Sequence, residues 1–113
     1  MAKEITTEEL KKKLDAMDKF YLIDVRDSFR YEHNHLPEAI GIEWGPKFAE
    51  ELPHVLPDKD AEIVIYGSNE ACQMAEDAID YLEKDGYVNL YLYRDGFAGW
   101  MEAGHGLEFG RTS

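Results

Sequence analysis

Cysteine is nearly absent from this chain: Cys72 is the one cysteine in 113 residues. That excludes an internal disulfide and any zinc site built on several cysteines. Positive charge is scarce too. Only 12 Lys and Arg stand against 24 Asp and Glu, a formal net charge of −12 with the histidines neutral. Nucleic acid is held by clustered Lys and Arg, and the one dense basic stretch, Lys11-Lys12-Lys13, is flanked by Glu8, Glu9 and Asp15, as on a solvated helix face. Nucleic acid is therefore not an expected partner. Small anions are repelled at long range unless a site is locally positive. Long apolar runs are missing as well, and none approaches the roughly 20 residues of a membrane helix. Met1-Ala2-Lys3-Glu4 lacks the apolar stretch of a secretion signal, so the expectation is a cytoplasmic protein with no membrane partner.

What is present is ordinary globular material. Apolar residues make up 44% of the chain and aromatics 12%, enough to build one core in a single domain spanning residues 1–113. No repeat, low-complexity stretch or linker divides it.

Hydrophobic periodicity lays out alternating elements. Thr6 or Thr7 can cap a helix running to about Ala16, with Glu9 placed to close a capping box on Thr6. Phe20 to Val25 is an almost continuous apolar run, which predicts a strand buried on both faces. A short helical piece from Asp27 to His33 follows, stopped at Leu36-Pro37. Ala39 to Ile42 reads as a short strand and Lys47 to Glu51 as a short helix, with Pro53 and Pro57 bracketing a turn. Glu62 to Tyr66 is the clearest buried strand. Ser68 or Asn69 can cap a helix from Glu70 to Lys84, where Ala71, Ala75, Ala78 and Leu82 recur at helical spacing and Gly86 ends the run. Val88 to Tyr93 is a further strand, Asp95-Gly96 a turn, and Phe97 to Ala103 a last helix. Strands alternating with helices predict an α/β fold with a parallel sheet covered on both faces. Sites in such sheets form where a strand's carboxyl end runs into a helix N-terminus. Two places qualify, after Val25 and after Tyr66, and the longer helix favours the second.

Several motifs in this order resemble one family. Tyr21-Leu-Ile-Asp-Val-Arg-Asp27, followed by Tyr31-Glu-His-Asn-His35-Leu-Pro-Glu-Ala39-Ile, resembles the opening signature of rhodanese-like domains. Ile63-Val-Ile-Tyr66 resembles the strand that leads into their active-site loop. Gly86-Tyr-Val-Asn-Leu-Tyr91, then Asp95-Gly96, Trp100 and Ala103-Gly104, resembles the closing signature. The likeness spans about residues 5 to 108. It implies a small parallel sheet of about five strands with helices on both faces, and sulfurtransferase chemistry. A loop cysteine takes sulfane sulfur from a donor such as thiosulfate, holds it as a persulfide and passes it to a thiol or cyanide. The resemblance brings no cofactor and no metal. A thiolate at a helix start is stabilised by the free backbone N–H groups there.

The chain departs from the family at the decisive place. Gly67 stands where the family's nucleophilic cysteine usually follows the strand, and glycine has no nucleophile. Cys72 looks like the second cysteine that some longer-loop relatives carry, and the Cys-x5-Arg of the phosphatase relatives is missing. If the enzyme reading holds, Cys72 is the persulfide carrier. The backbone of Gly67, Ser68, Asn69, Glu70, Ala71 and Gln73 then forms the cradle, with Cys72 in the first turn of a helix capped by Asn69. Against that reading, Glu70 and Glu76 are anionic neighbours. Cys72 also falls at helical spacing with Ala75, Ile79 and Leu82, as a buried inert thiol would. Arg26 is the candidate cation, while Asp24 and Arg26 together read as a structural ion pair. His35 reads as a hydrogen-bonded loop anchor, and His33 and His35 make no metal site without a third ligand. Asn34, Glu38 and Asp95 stand at family glycines, and asparagine tolerates the left-handed conformation. Trp44, Tyr66, Tyr91 and Trp100 read as core. The alternative to a sulfurtransferase acting on a small sulfur donor and a thiol acceptor is a silent fold that binds or regulates a protein partner. A redox-sensing thiol is a third possibility.

Overall fold

A computed structural model describes residues 2–56 and 58–110. In chain order the elements are β1 (Lys3–Glu4), α1 (Thr7–Asp15), β2 (Tyr21–Asp24), α2 (Ser28–His33), β3 (Ile40–Gly41), α3 (Phe48–Val55), β4 (Ile63–Tyr66), α4 (Gln73–Lys84), β5 (Leu90–Leu92) and α5 (Gly96–Glu102). The strands form one sheet in the order β1-β5-β4-β2-β3, and every pairing is parallel.

Side-chain alternation divides the core into two layers. Along β4, Ile63 and Ile65 face the layer built with Phe48 and Leu52 of α3 and Ala75, Ala78, Ile79 and Leu82 of α4. Val64 and Tyr66 face the other, with Leu10 of α1, Tyr31 of α2 and Trp100 of α5. Because helices cover both faces, all four β4 residues are buried, which is why the run carries no polar alternation. Among the described residues, no helix is long and apolar enough to cross a membrane.

Helix α1 starts as expected. The Thr6 hydroxyl accepts from the Glu9 N–H at 3.1 Å, and the Glu9 carboxylate accepts from the Thr6 N–H at 2.9 Å. Three expectations need correction. Pro53 lies inside α3 rather than in a turn after it. Its ring already holds a helical φ, at the loss of one N–H, while Phe48, Leu52 and Leu56 anchor the segment in the core. Pro57 falls outside the described residues. Asn34 is extended (φ −166°) instead of left-handed; Glu38, at φ +68°, takes the left-handed turn.

The third correction concerns the loop after β4. Helix α4 begins at Gln73, so Cys72, not Asn69, is its N-cap residue. Asn69 instead folds the loop on itself. Its side-chain oxygen accepts from the Ala71 N–H at 2.9 Å and its carbonyl from the Cys72 N–H at 3.0 Å. Such local bonds compete with helix formation, and they hold residues 68–72 out of it. The register pairs Asp24 with Tyr66 across β2 and β4, so both candidate strand ends open at the same edge.

Candidate active site

The loop from Gly67 to Cys72 is fixed from both sides. On one side, the first free amides of α5 donate into it. Phe97 N–H reaches the Gly67 carbonyl and Ala98 N–H the Ser68 carbonyl, each at 2.9 Å. Gly96 makes that approach possible. It stands at φ +66°, and a Cβ there would lie 2.6 Å from the Gly67 carbonyl oxygen. With those carbonyls turned toward α5, peptide planarity points the N–H groups of Ser68 and Asn69 the opposite way. On the other side the chain enters the twelve-residue helix α4, whose N-terminal amides favour negative charge. The amides of Ala71 and Cys72 already donate to Asn69.

Cys72 is half-buried, and its position explains Gly67. A Cβ built on Gly67 would stand 2.3 Å from the Cys72 sulfur and 3.0 Å from its Cβ, with the Ala75 Cβ at 3.7 Å. The thiol therefore fills the space that a side chain at position 67 would need. The Cys72 sulfur, at the far end of the loop, folds back against the loop's first residue. Around it, Glu70 is exposed. Glu76 has a countercharge that sequence distance hid, because Arg94 Nη1 lies 3.7 Å from it and the same guanidinium bonds Glu4 at 2.9 Å. Gln73 points along α4, its side-chain nitrogen 3.2 Å from Asp77.

The strand-end pair forms a buried hub. Arg26 Nε donates to both Asp24 oxygens at 3.1 Å and Nη2 to Oδ2 at 2.8 Å, while the Arg26 backbone N–H takes Oδ1 at 2.9 Å. Nη2 also bonds the Asn34 carbonyl at 2.6 Å. Asp24 is 0% exposed and Arg26 4%, so the pair holds only because each charge is so fully partnered. Tyr66 supplies a further bond, its hydroxyl donating to Asp24 Oδ2 at 2.6 Å and accepting from the Leu36 N–H at 3.1 Å. Burial first, and the Asp24 charge second, push the Tyr66 phenol well above its usual 10.0. It stays a proton donor.

Phe97 closes the hub from the loop side, its ring centroid 4.1 Å from the Arg26 guanidinium carbon. Sequence pattern marks neither Tyr66 nor Phe97 as a site residue: Tyr66 reads as aromatic core and Phe97 only as the start of the last helix. His35 is an anchor: fully buried, stacked on Tyr31 at 4.1 Å, with Nδ1 2.8 Å from the Tyr31 carbonyl. His33 is exposed on α2, so the two histidines do not converge.

The profile of the Rhodanese-like domain family matches residues 6–103. The chain belongs to that family. The presumed sulfurtransferase YtwF of Bacillus subtilis (strain 168) is 32% identical over 100 residues, covering 87% of this chain and 89% of YtwF. Among solved structures, the BH2092 protein of Bacillus halodurans superposes with a TM-score of 0.86 at 25% identity, covering 96% of this chain and 77% of that one. A thiosulfate sulfurtransferase from Pseudomonas aeruginosa gives a TM-score of 0.82 at 22% identity; it covers 98% of this chain, which spans about a fifth of that protein (21%). The rhodanese fold is thus shared over nearly the whole described chain, in a family of sulfurtransferases. Within it, this domain carries glycine at the first loop position and sulfur at the last.

Proposed function

We propose that this domain is a sulfurtransferase that carries sulfane sulfur on Cys72. The observation that supports it is the packing of the Cys72 sulfur against Gly67, at the start of α4 and within the loop that serves sulfur transfer in the family. In the reaction, the Cys72 thiolate attacks the outer sulfur of thiosulfate. The S–S bond breaks with its electron pair leaving as sulfite, and Cys72 is left as a persulfide. An acceptor thiolate or cyanide then attacks the outer sulfur, and the Cys72 thiolate departs. The outward N–H groups of Ser68 and Asn69, with the α4 terminus, stabilise the anions. The acting unit is the single domain of residues 1–113, with its core between about 5 and 108. A lone thiol that must stay reduced between turnovers suits a reducing compartment such as the cytoplasm.

A second reading rests on Arg26. Its charge is taken up by Asp24 within a buried hub, so it offers an anionic donor little attraction. On that reading the fold is silent and binds or regulates a protein partner. Mass spectrometry of the native protein after thiosulfate decides between them. A gain of one sulfur atom, removed by cyanide and absent in Cys72→Ser, supports the carrier. A wild type that gains nothing, beside a Gly67→Cys/Cys72→Ala protein that does, means that the cradle remains without its nucleophile. That result overturns the proposal.

A further inference from the structure

The loop after β4 stands where neighbouring strands send the chain to opposite faces of the sheet. A second place of that kind lies away from it, at the carboxyl ends of β2 and β3. β2 leads into α2, whose Tyr31 packs in the layer of α1 and α5. β3 leads toward α3, whose Phe48 and Leu52 pack in the layer of α4. Divergence of adjacent parallel strands leaves a crevice beyond their ends, where ligands of α/β sheets bind. Here it is a cavity of about 510 Å³, and none of residues 67–72 lines it. Gly41 of β3 lets the Tyr31 ring lie close over the strand, since a Cβ there would stand 2.8 Å from the ring. Gly45 leaves its side of the crevice open: a Cβ on it would meet nothing within 4 Å.

The walls carry both signs of charge. Arg26 lines the crevice, but Asp24 already takes its charge. The free cation is Lys47, whose amine has no hydrogen-bond or ion-pair partner among the described residues. Glu51, one turn further along α3, also lines the crevice, and its carboxylate is equally without a partner. A lysine four residues before a glutamate pairs less well than the reverse order, and the two charges stand apart. Glu43 gives Oε1 to the Ser28 N–H at 3.0 Å and keeps Oε2, and Glu32 adds a third carboxylate. We infer that this crevice binds a free α-amino acid of neutral or positive net charge. The ligand carboxylate meets the Lys47 amine, and its α-ammonium lies between Glu43 and Glu51. The surplus of carboxylates excludes a second negative charge and favours a basic side chain. A simple anion would face three carboxylates, and a simple amine would leave Lys47 unmatched. The site lies apart from Cys72 and does not rest on its chemistry.

L-Lysine is the probe, titrated into the full chain and followed by amide NMR shifts, with cadaverine and L-glutamate beside it. Saturable binding of L-lysine is expected, with shifts centred on Ser28 and residues 41–51, and equally in Cys72→Ser. Cadaverine, which is lysine without its carboxylate, should bind about fivefold more weakly, the scale of one exposed ion pair, and so should L-glutamate. Lys47→Met should erase the difference between L-lysine and cadaverine, and Glu51→Gln should weaken both about fivefold. Both side chains are exposed and unpartnered, so neither change removes a contact of the fold. No saturation at tens of millimolar L-lysine overturns the inference. Equal affinity for L-lysine and cadaverine means a plain acidic surface and overturns it too, as does a Lys47→Met protein that still prefers L-lysine. Equal affinity for L-lysine and L-glutamate overturns the charge assignment. Shifts confined to α4, whose exposed Asp77 and Asp80 offer another acidic face, would place the ligand there and remove the site.

Discussion

The relation between Gly67 and Cys72 can be measured as a coupling energy. Gly67→Ala adds one methyl group 2.3 Å from the Cys72 sulfur and 3.0 Å from its Cβ. The first distance is impossible without movement, and forcing a group into a packed site costs about 1–3 kcal/mol. Replacing glycine with alanine also stiffens the unfolded chain, which returns about 0.4–1 kcal/mol where the backbone accepts a Cβ. The net expectation for Gly67→Ala is a loss of about 1–2 kcal/mol. In a Cys72→Ala background the sulfur is gone, and only the 3.0 Å contact remains, which a shift of a few tenths of an ångström at the helix start relieves. There the same substitution should be close to neutral. The cycle of wild type, two single variants and the double variant, unfolded in urea and read by circular dichroism, should give a coupling of about 1–2 kcal/mol. Additivity within about 0.3–0.5 kcal/mol refutes the argument. It would mean that the sulfur does not occupy the space beside Gly67, and the case for Cys72 as the displaced nucleophile would lose its foundation.

Two further perturbations test the frame around the loop. Asp24→Asn leaves the Arg26 charge buried without its counterion, and urea unfolding should show a loss of about 3–5 kcal/mol; Tyr66→Phe removes one donor and one acceptor from the same hub and should cost about 1–3 kcal/mol. A loss below about 1 kcal/mol for Asp24→Asn would mean that water reaches the pair. Acid should weaken the N-terminal end selectively. Arg94 holds the Glu4 carboxyl below its ordinary 4.5 through a hydrogen bond, and the Thr6 backbone N–H does the same for Glu9. A folded-state value below the unfolded one gives stability that is present above pH 4.5 and lost as pH falls through the lowered value. The urea midpoint of wild type should therefore fall more steeply below pH 4.5 than that of Glu4→Gln/Glu9→Gln, and parallel curves would contradict the assignment.

Much of this fold can be read from residue order because its signals are local. The capping box of Thr6 and Glu9 and the unbroken apolar run of β4 each depend on a few neighbours. Asp24 and Arg26, two residues apart, meet as a buried ion pair, and His35 lies against the Tyr31 carbonyl four residues earlier. What escaped was set by contacts across the chain. β1 is two charged residues, Lys3 and Glu4, with no apolar pattern; it exists because β5 offers a free edge and the Ile5 N–H reaches the Leu92 carbonyl. The start of α4 is delayed by the Asn69 bonds inside the loop and by α5, which takes the Gly67 and Ser68 carbonyls; the second competition is invisible within the loop itself. Pro53 reads as a breaker from its own chemistry, yet the burial of Phe48 and Leu52 carries the helix past it.

The same distinction bears on how an absent residue should be read. Taken alone, Gly67 is a lost nucleophile, and its neighbours Glu70 and Glu76 make the nearby thiol look misplaced. In three dimensions the two positions share one volume. Either a side chain at 67 or the sulfur of residue 72 can stand there, and the 2.3 Å approach forbids both. Glycine at 67 is then a condition for Cys72 to reach the loop. This makes position 67 a sharper probe than a simple deletion of the thiol. Any side chain there should displace the sulfur, so Gly67→Ala should abolish persulfide formation while Cys72 itself remains. If Gly67→Ala forms the persulfide at the wild-type rate, the sulfur reacts from some other place, and the exchange of positions does not explain the loop.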